Sequence, residues 1–160
     1  MKRWPAVGYG AFFVLFALPF ATLYGACSNQ RVDTVNGYQT LAPHDGAATD
    51  GFAWIALALV VVALGLSLFG VRPLWLSVVS VAAVTTLFLA VTAAGGAKAS
   101  SKAEIGYWLS SVAVALAPAA GARSWRQAGL VALATVAAAT ALVGAIIGLI
   151  VLTASTTSRG

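Results

Sequence analysis

The side chains most able to do chemistry lie together in the one sizeable loop, between the first two apolar stretches. They are the chain's single cysteine and single histidine with three of its four acidic residues: Cys27, His44, Asp33, Asp45 and Asp50. A cysteine beside a histidine can act as a nucleophile with its base. However, His44 belongs to Pro-His-Asp-Gly (residues 43–46), a sequence typical of a solvated β-turn. A membrane enzyme is therefore the weakest hypothesis, and we predict no catalytic residue, cofactor or metal site.

The elements that must position this loop are five apolar stretches without a charged residue: residues 5–26, 52–70, 74–94, 105–121 and 128–152. About 20 helical residues cross the ~30 Å hydrocarbon core of a bilayer. The chain has 61% hydrophobic and 8% charged residues, whereas soluble domains have about 25% charged residues. The sequence predicts an all-α integral membrane bundle of five transmembrane helices, forming a single domain over residues 1–160.

The tryptophans support these boundaries, because each stands at or near the start of a stretch: Trp4, Trp54, Trp75, Trp108 and Trp125. Indole rings favour the headgroup level of a bilayer. The fourth stretch is short and contains Pro118. A re-entrant or tilted segment is therefore an alternative to a full fourth crossing.

The net charge of +5 comes from basic residues that stand singly or in pairs near the ends of the stretches. This spacing indicates contact with lipid headgroups and not with nucleic acid. A cytoplasmic N-terminus places five basic residues inside (Lys2, Arg3, Arg72, Arg123 and Arg126) and four outside (Arg31, Lys98, Lys102 and Arg159). We therefore predict a cytoplasmic N-terminus and an outer C-terminus.

Residues 27–51 form the predicted outer loop, in which two short β-type segments flank Asn36-Gly37. Asn-Gly is the preferred pair for a type I′ turn, so residues 32–35 and 38–41 are predicted to form a small β-hairpin. The favoured interpretation is a cap over the helix ends. The alternative is a docking surface for a partner, formed by Asn36, Gly37 and Tyr38.

Cys27 follows a basic start and an apolar run, as a lipoprotein cysteine does after its signal segment. A small residue precedes it, but Tyr24 stands where an aliphatic residue is expected. A free thiol at the membrane interface is favoured. Lipidation of Cys27, with cleavage of residues 1–26, is the alternative.

Three features near the start resemble a group of uncharacterised small bacterial membrane proteins. They are Leu18-Pro19-Phe20 at the end of the first stretch, Cys27, and Asn36-Gly37-Tyr38 in the loop. The resemblance implies several membrane spans in a bacterial cytoplasmic membrane. It covers about the first quarter of the chain and implies no activity.

In the fifth stretch, Thr140, Gly144 and Gly148 recur every four residues. Small residues at this spacing form a flat helix face that allows another helix to approach closely. We predict helix packing at this face, with packing inside the chain favoured over contact with another subunit.

Two predicted turns are alike, since residues 70–75 read GVRPLW and residues 121–125 read GARSW. A duplicated helical hairpin is one interpretation. The favoured one is that glycine, arginine and tryptophan are the ordinary residues of membrane turns.

The stretches lack the buried acid, histidine or lysine that coupled transporters usually carry. Their hydroxyl groups, such as those of Ser77, Ser80 and Thr85, are expected to serve packing more than conduction. The leading hypothesis is a non-catalytic accessory or scaffolding subunit of a larger membrane complex. Its partners would be membrane lipids and other membrane subunits or further copies of the chain. The alternative is a small passive channel or facilitator that acts as an oligomer.

Overall fold

The computed structural model describes residues 4–25, 31–41, 51–94 and 99–157. These residues contain five α-helices: α1 (Trp4–Leu15), α2 (Gly51–Leu68), α3 (Pro73–Ala93), α4 (Ile105–Leu116) and α5 (Trp125–Thr157). They also contain three strands: β1 (Pro19–Gly25), β2 (Arg31–Asn36) and β3 (Ala99–Ala103). Short 3₁₀ segments occupy Gln39–Leu41 and Ala117–Gly121. The protein is therefore mostly helical, with a small sheet at one end.

Three helices are long and apolar enough to cross a membrane, over Gly51–Leu68, Pro73–Ala93 and Trp125–Thr153. The second, third and fifth predicted stretches are thus confirmed as helices of sufficient length. The helical segments Trp4–Leu15 and Ile105–Gly121 are apolar but shorter. They correspond to the first and fourth predicted stretches.

The predicted single helix over residues 5–26 is wrong beyond Leu15, because the chain turns and continues as β1. Pro19 explains the change. Within a helix its ring would collide with the carbonyl of Leu15, and it also disfavours helical backbone at Leu18. The threonine and tyrosine that follow have β-branched and aromatic side chains, which are common in strands.

The sheet has the strand order β2-β1-β3, and both pairings are antiparallel. Thr22 of β1 lies between Thr34 of β2 and Lys102 of β3. The predicted strand over residues 32–35 is confirmed, but the predicted Asn-Gly hairpin is wrong. The partner of β2 is β1, and Gln39–Leu41 is a 3₁₀ segment.

A close contact explains the conformation at Gly37. Its N–H donates to the carbonyl oxygen of Phe16 at 2.8 Å, and a Cβ at this position would overlap the Phe16 ring. Among the glycines that the structure describes, positive φ occurs at Gly70 (73°), whereas a type I′ turn would require it at Gly37. Gly37 is therefore needed because its lack of a side chain leaves room for the Phe16 ring, and not because the backbone turns there.

Local signals account for the helix ends. Gly70, with its left-handed backbone, follows the last turn of α2, and Pro73 opens α3. At the start of α5, the Ser124 hydroxyl accepts from the N–H of Gln127 at 3.3 Å, which is a capping contact. In the fourth stretch the α-helix gives way to a 3₁₀ segment at Pro118, which cannot donate a backbone hydrogen bond.

The core forms where α1 meets the sheet and the other helices. Four aromatic residues of this region are completely buried: Tyr9, Phe12, Phe16 and Phe20. Phe16 stacks on Phe12 with ring centroids 4.9 Å apart and meets Phe20 edge to face at 5.1 Å. Large rings thus fill the space between helix and sheet, whereas buried alanines such as Ala56 and Ala63 bring α2 close to its neighbours.

Candidate functional site

The most exposed element is α5, which is also the longest at 33 residues. Among its described side chains, only Thr135 (1% exposed) and Ala139 (5%) are buried. From Gly144 onward, every described side chain except that of Ile146 is exposed. The first half of the helix therefore packs on the bundle, and the second half presents apolar surface around its circumference.

Two apolar grooves border the first half of α5. The groove against α3 has a volume of about 460 Å³ and lies between Val78 and Val81 on one side and Val131 and Ala134 on the other. The groove against α4 has a volume of about 490 Å³, and Ser111 and Thr140 are among its lining residues. Contact between α5 and the bundle is thus confined to a narrow strip.

The three small residues predicted to pack a helix lie mostly outside that contact. Thr140, Gly144 and Gly148 are exposed, and an added Cβ at either glycine would have no atom within 4 Å. The Thr140 hydroxyl donates to the carbonyl oxygen of Val136 at 2.9 Å, within its own helix. In the part of the chain that the structure describes, no other element therefore packs on the Cβ side of either glycine.

The three hydroxyl groups considered for a polar path, those of Ser77, Ser80 and Thr85, have local hydrogen-bond partners. Ser77 donates to Pro73 O at 3.0 Å and Thr85 to Val81 O at 2.8 Å, both within α3. Ser80 is completely buried and lies 2.8 Å from the Tyr9 hydroxyl of α1. Each hydroxyl has a partner typical of helix packing.

A polar contact at the sheet involves Glu104, which sequence reasoning missed. Thr22 is 1% exposed, and its hydroxyl donates to Glu104 Oε1 at 2.6 Å. The N–H of Glu104 donates to Phe20 O at 3.0 Å. Its position in the sequence could have identified it, because Glu104 is the only acidic residue outside the loop and directly precedes an apolar stretch. The contact joins the start of α4 to β1.

The predicted docking residues Asn36, Gly37 and Tyr38 lie against the end of α1. The Tyr38 hydroxyl donates to Phe13 O at 2.7 Å, and its ring meets Phe16 edge to face at 5.1 Å. The side chain of Asn36 accepts from the N–H of Gln39 at 2.9 Å. These contacts support a role as a cap on α1, and docking stays a prediction.

The chemistry-bearing residues of the loop mostly fall outside the described residues. Cys27, His44, Asp45 and Asp50 are in that category, so the Cys27–His44 pair and the lipidation of Cys27 stay predictions. Asp33 is described and exposed, and its carboxylate accepts from the N–H of Thr34 at 2.7 Å. Within residues 4–25, 31–41, 51–94 and 99–157, no three histidine, cysteine or acidic residues are grouped as metal ligands.

Comparison with known proteins gives no relative from which a function can be transferred. No family model, no curated protein and no solved structure matches the chain.

Proposed function

We propose that this protein is a non-catalytic accessory or scaffolding subunit of a larger assembly in a bacterial cytoplasmic membrane. In this proposal the chain crosses the bilayer five times, with its N-terminus in the cytoplasm and its C-terminus outside. The second half of α5 provides the interface, and the partner is a transmembrane helix of another subunit. The observation that carries the proposal is the open space around Gly144 and Gly148 on an otherwise unpacked helix.

Exposure of apolar surface alone does not indicate a partner, because lipid covers such surface equally well. Glycine is different, since it costs about 1 kcal/mol relative to alanine in a helix interior. Nothing in the described chain packs on Gly144 or Gly148 to offset that cost. A second helix seated on the Thr140–Gly148 face would offset it through close backbone contact.

The sheet supports a scaffolding role more than a catalytic one. Its buried polar group, Thr22, is hydrogen-bonded to Glu104 and thereby connects two elements. The hydroxyls of α3 are likewise bonded to their own helix or to Tyr9. The local partners of Ser77, Ser80 and Thr85 favour packing over a shared polar path, so the channel alternative gains no specific support.

The proposal is tested by purifying the tagged protein, expressed at its native level, in a mild detergent and identifying co-purifying subunits by mass spectrometry. Gly144→Leu and Gly148→Leu add bulk to the proposed face, where an added Cβ has no atom of the described chain within 4 Å apart from the nearby backbone of α5. Gly129→Leu is the matched control, because an added Cβ at Gly129 likewise has no atom within 4 Å outside the nearby backbone of α5. It lies on the same helix, roughly 22 Å from Gly144 at 1.5 Å per residue.

We expect one partner at constant stoichiometry, lost from Gly144→Leu and Gly148→Leu and retained by Gly129→Leu. Retention of the partner by all three variants would contradict α5 as the interface. A purified homo-oligomer without any other subunit would contradict the accessory role and favour the channel alternative.

A further inference from the structure

The two similar turns of the sequence meet at one cavity. Gly70 and Arg72 from the α2–α3 turn line a cavity of about 450 Å³ together with Gly121 and Arg123 from the segment before α5. Arg72 and Arg123 are the corresponding residues of the two turns, and they lie 51 residues apart in the sequence. The fold therefore brings two arginine residues to one cavity, at the end of the bundle opposite the sheet.

Neither arginine side chain has an ion-pair or hydrogen-bond partner among the described residues, and both residues are exposed. The acidic residues that the structure describes, Asp33 and Glu104, belong to the sheet or directly follow it. The positive charge at the cavity is therefore not neutralised by a described carboxylate. Two such cations at one opening favour binding of an anion.

The remaining walls of the cavity are largely apolar. Pro5, Pro73 and Leu76 line it, and Gly121 approaches so closely that an added Cβ would lie 3.0 Å from the Pro5 ring. A ligand that fits must combine an anionic group for the arginines with a hydrocarbon portion for these walls. That combination is the chemistry of a membrane phospholipid.

A second cavity adjoins the first through Arg123. It has a volume of about 700 Å³, and Trp4 and Trp125 line it together with Arg123. Tryptophan and arginine are the side chains typical of the headgroup level. Arg123 thus lines both the cavity that contains the two indoles and the cavity that contains Arg72.

We propose that the Arg72–Arg123 cavity binds the phosphate group of an anionic phospholipid, with the glycerol end of the lipid against the apolar wall and the acyl chains in the surrounding bilayer. A guanidinium donates two parallel hydrogen bonds to a phosphate. Because phosphatidylcholine has a phosphate group too, the preference for an anionic lipid comes from the two positive charges at the cavity, which the choline cation would oppose. Under the predicted orientation the site faces the cytoplasmic leaflet, where anionic lipids supply the ligand. This site is separate from the second half of α5 and does not depend on the proposed subunit role.

The test is native mass spectrometry of the full chain in neutral detergent, titrated with phosphatidylglycerol or phosphatidylcholine. Because a charge-assisted hydrogen bond is lost, Arg72→Gln and Arg123→Gln should each raise the Kd for phosphatidylglycerol about tenfold or more. Arg126→Gln is the matched control, since Arg126 is exposed near the same end but does not line the cavity. Its Kd should rise no more than about fivefold, the general effect of one surface cation.

The lysine variants Arg72→Lys and Arg123→Lys keep the charge and lose the paired donors, so their Kd should fall between the native and glutamine values. They also show that a loss of binding is not a loss of folding. An equal effect of Arg126→Gln and Arg123→Gln would overturn the proposal, and so would equal binding of phosphatidylcholine and phosphatidylglycerol. Arginine-dependent binding of inorganic phosphate with a similar Kd would identify a free-anion site and would also overturn it.

Discussion

The contacts that hold the short helices in place depend on residues without a side chain. Gly106, in the first turn of α4, lies so close to the start of β1 that an added Cβ would be 2.5 Å from the carbonyl oxygen of Pro19. It would also lie 2.8 Å from the carbonyl oxygen of Leu18. Because both neighbours are backbone atoms, a side-chain rotation cannot relieve the overlap.

We therefore expect Gly106→Ala to lower the free energy of unfolding by about 1–3 kcal/mol, the usual cost of forced overpacking. The measurement is thermal or denaturant unfolding of the purified protein in a fixed detergent. Gly65→Ala is the matched control, because nothing lies within 4 Å of its added Cβ. Alanine there should stabilise α2 by about 0.5–1 kcal/mol. Equal effects of the two variants would show that α4 does not approach Leu18 and Pro19 this closely.

At single positions the sequence indicated which residues are unusual but not what they do in the fold. Gly37 was predicted as a turn residue, yet its lack of a side chain accommodates the Phe16 ring. Glu104 belongs to no recognisable motif, yet its carboxylate accepts a hydrogen bond from the hydroxyl of a buried threonine. Both roles depend on contacts with segments distant in sequence, which a local pattern cannot reveal.

At the scale of elements, the central feature is the change from α1 to β1 at Pro19. β1 occupies the middle of the sheet, with Leu23 opposite Asp33 of β2 and Ser101 of β3. A continuous helix over residues 5–26 would leave these residues unpaired. The continuous helix and the observed strand therefore predict different distances between Leu23 and Asp33.

Disulfide formation distinguishes these arrangements. In a Cys27→Ser background, we expect Leu23→Cys with Asp33→Cys to form a disulfide readily, because direct cross-strand partners have Cβ atoms about 4.5–5.5 Å apart. The control pair, Leu23→Cys with Val35→Cys, is out of register by two residues and should react much more slowly. The measurement is the rate of oxidation, followed by the shift of a proteolytic fragment on a non-reducing gel. Comparable rates for the two pairs would contradict the register of β1 and β2.

Hydropathy predicted the long helices well because their signal is local. Residues 52–70, 74–94 and 128–152 each fall largely on a helix long enough to cross a bilayer. The same measure failed at residues 19–25, since a strand buried against a protein core is as apolar as a membrane helix. Pro19, in Leu18-Pro19-Phe20, was the local sign that the helix ends, because proline within an apolar run can break a helix as well as bend it.

At the scale of the whole molecule, the short helices limit where the sheet can lie. α1 has 12 residues and so covers about 18 Å at 1.5 Å per residue, less than the ~30 Å of a hydrocarbon core. Irregular or strand backbone is tolerated at membrane depth only where protein covers it. Phe20 and Ala21 of β1 meet that condition, since both are completely buried, and Thr22 is 1% exposed. Ala17, Leu18 and Pro19, which join α1 to β1, are exposed, so a crossing built from α1 and β1 requires this junction to lie outside the hydrocarbon core or against another protein.

The crossings by α3 and α4 are tested by the sides of the membrane on which Arg72, Lys102 and Arg126 lie. Arg72 and Arg123 share a cavity, which places the two turns at the same end of the bundle. Lys102 belongs to β3, directly before α4. We expect single cysteines at positions 72 and 126 to react with a membrane-impermeant maleimide only after permeabilisation of the cells. A cysteine at position 102 should react in intact cells.

All three substitutions are made in a Cys27→Ser background, and labelling after full solubilisation serves as the control for intrinsic reactivity. Reaction of positions 102 and 126 from the same side would mean that α4 and its 3₁₀ extension return without crossing. Reaction of positions 72 and 126 from opposite sides would separate the two arginine turns and with them the shared cavity. The proposed five crossings require that positions 72 and 126 agree and that position 102 differs, because each of the two helical hairpins then returns to the side on which it began.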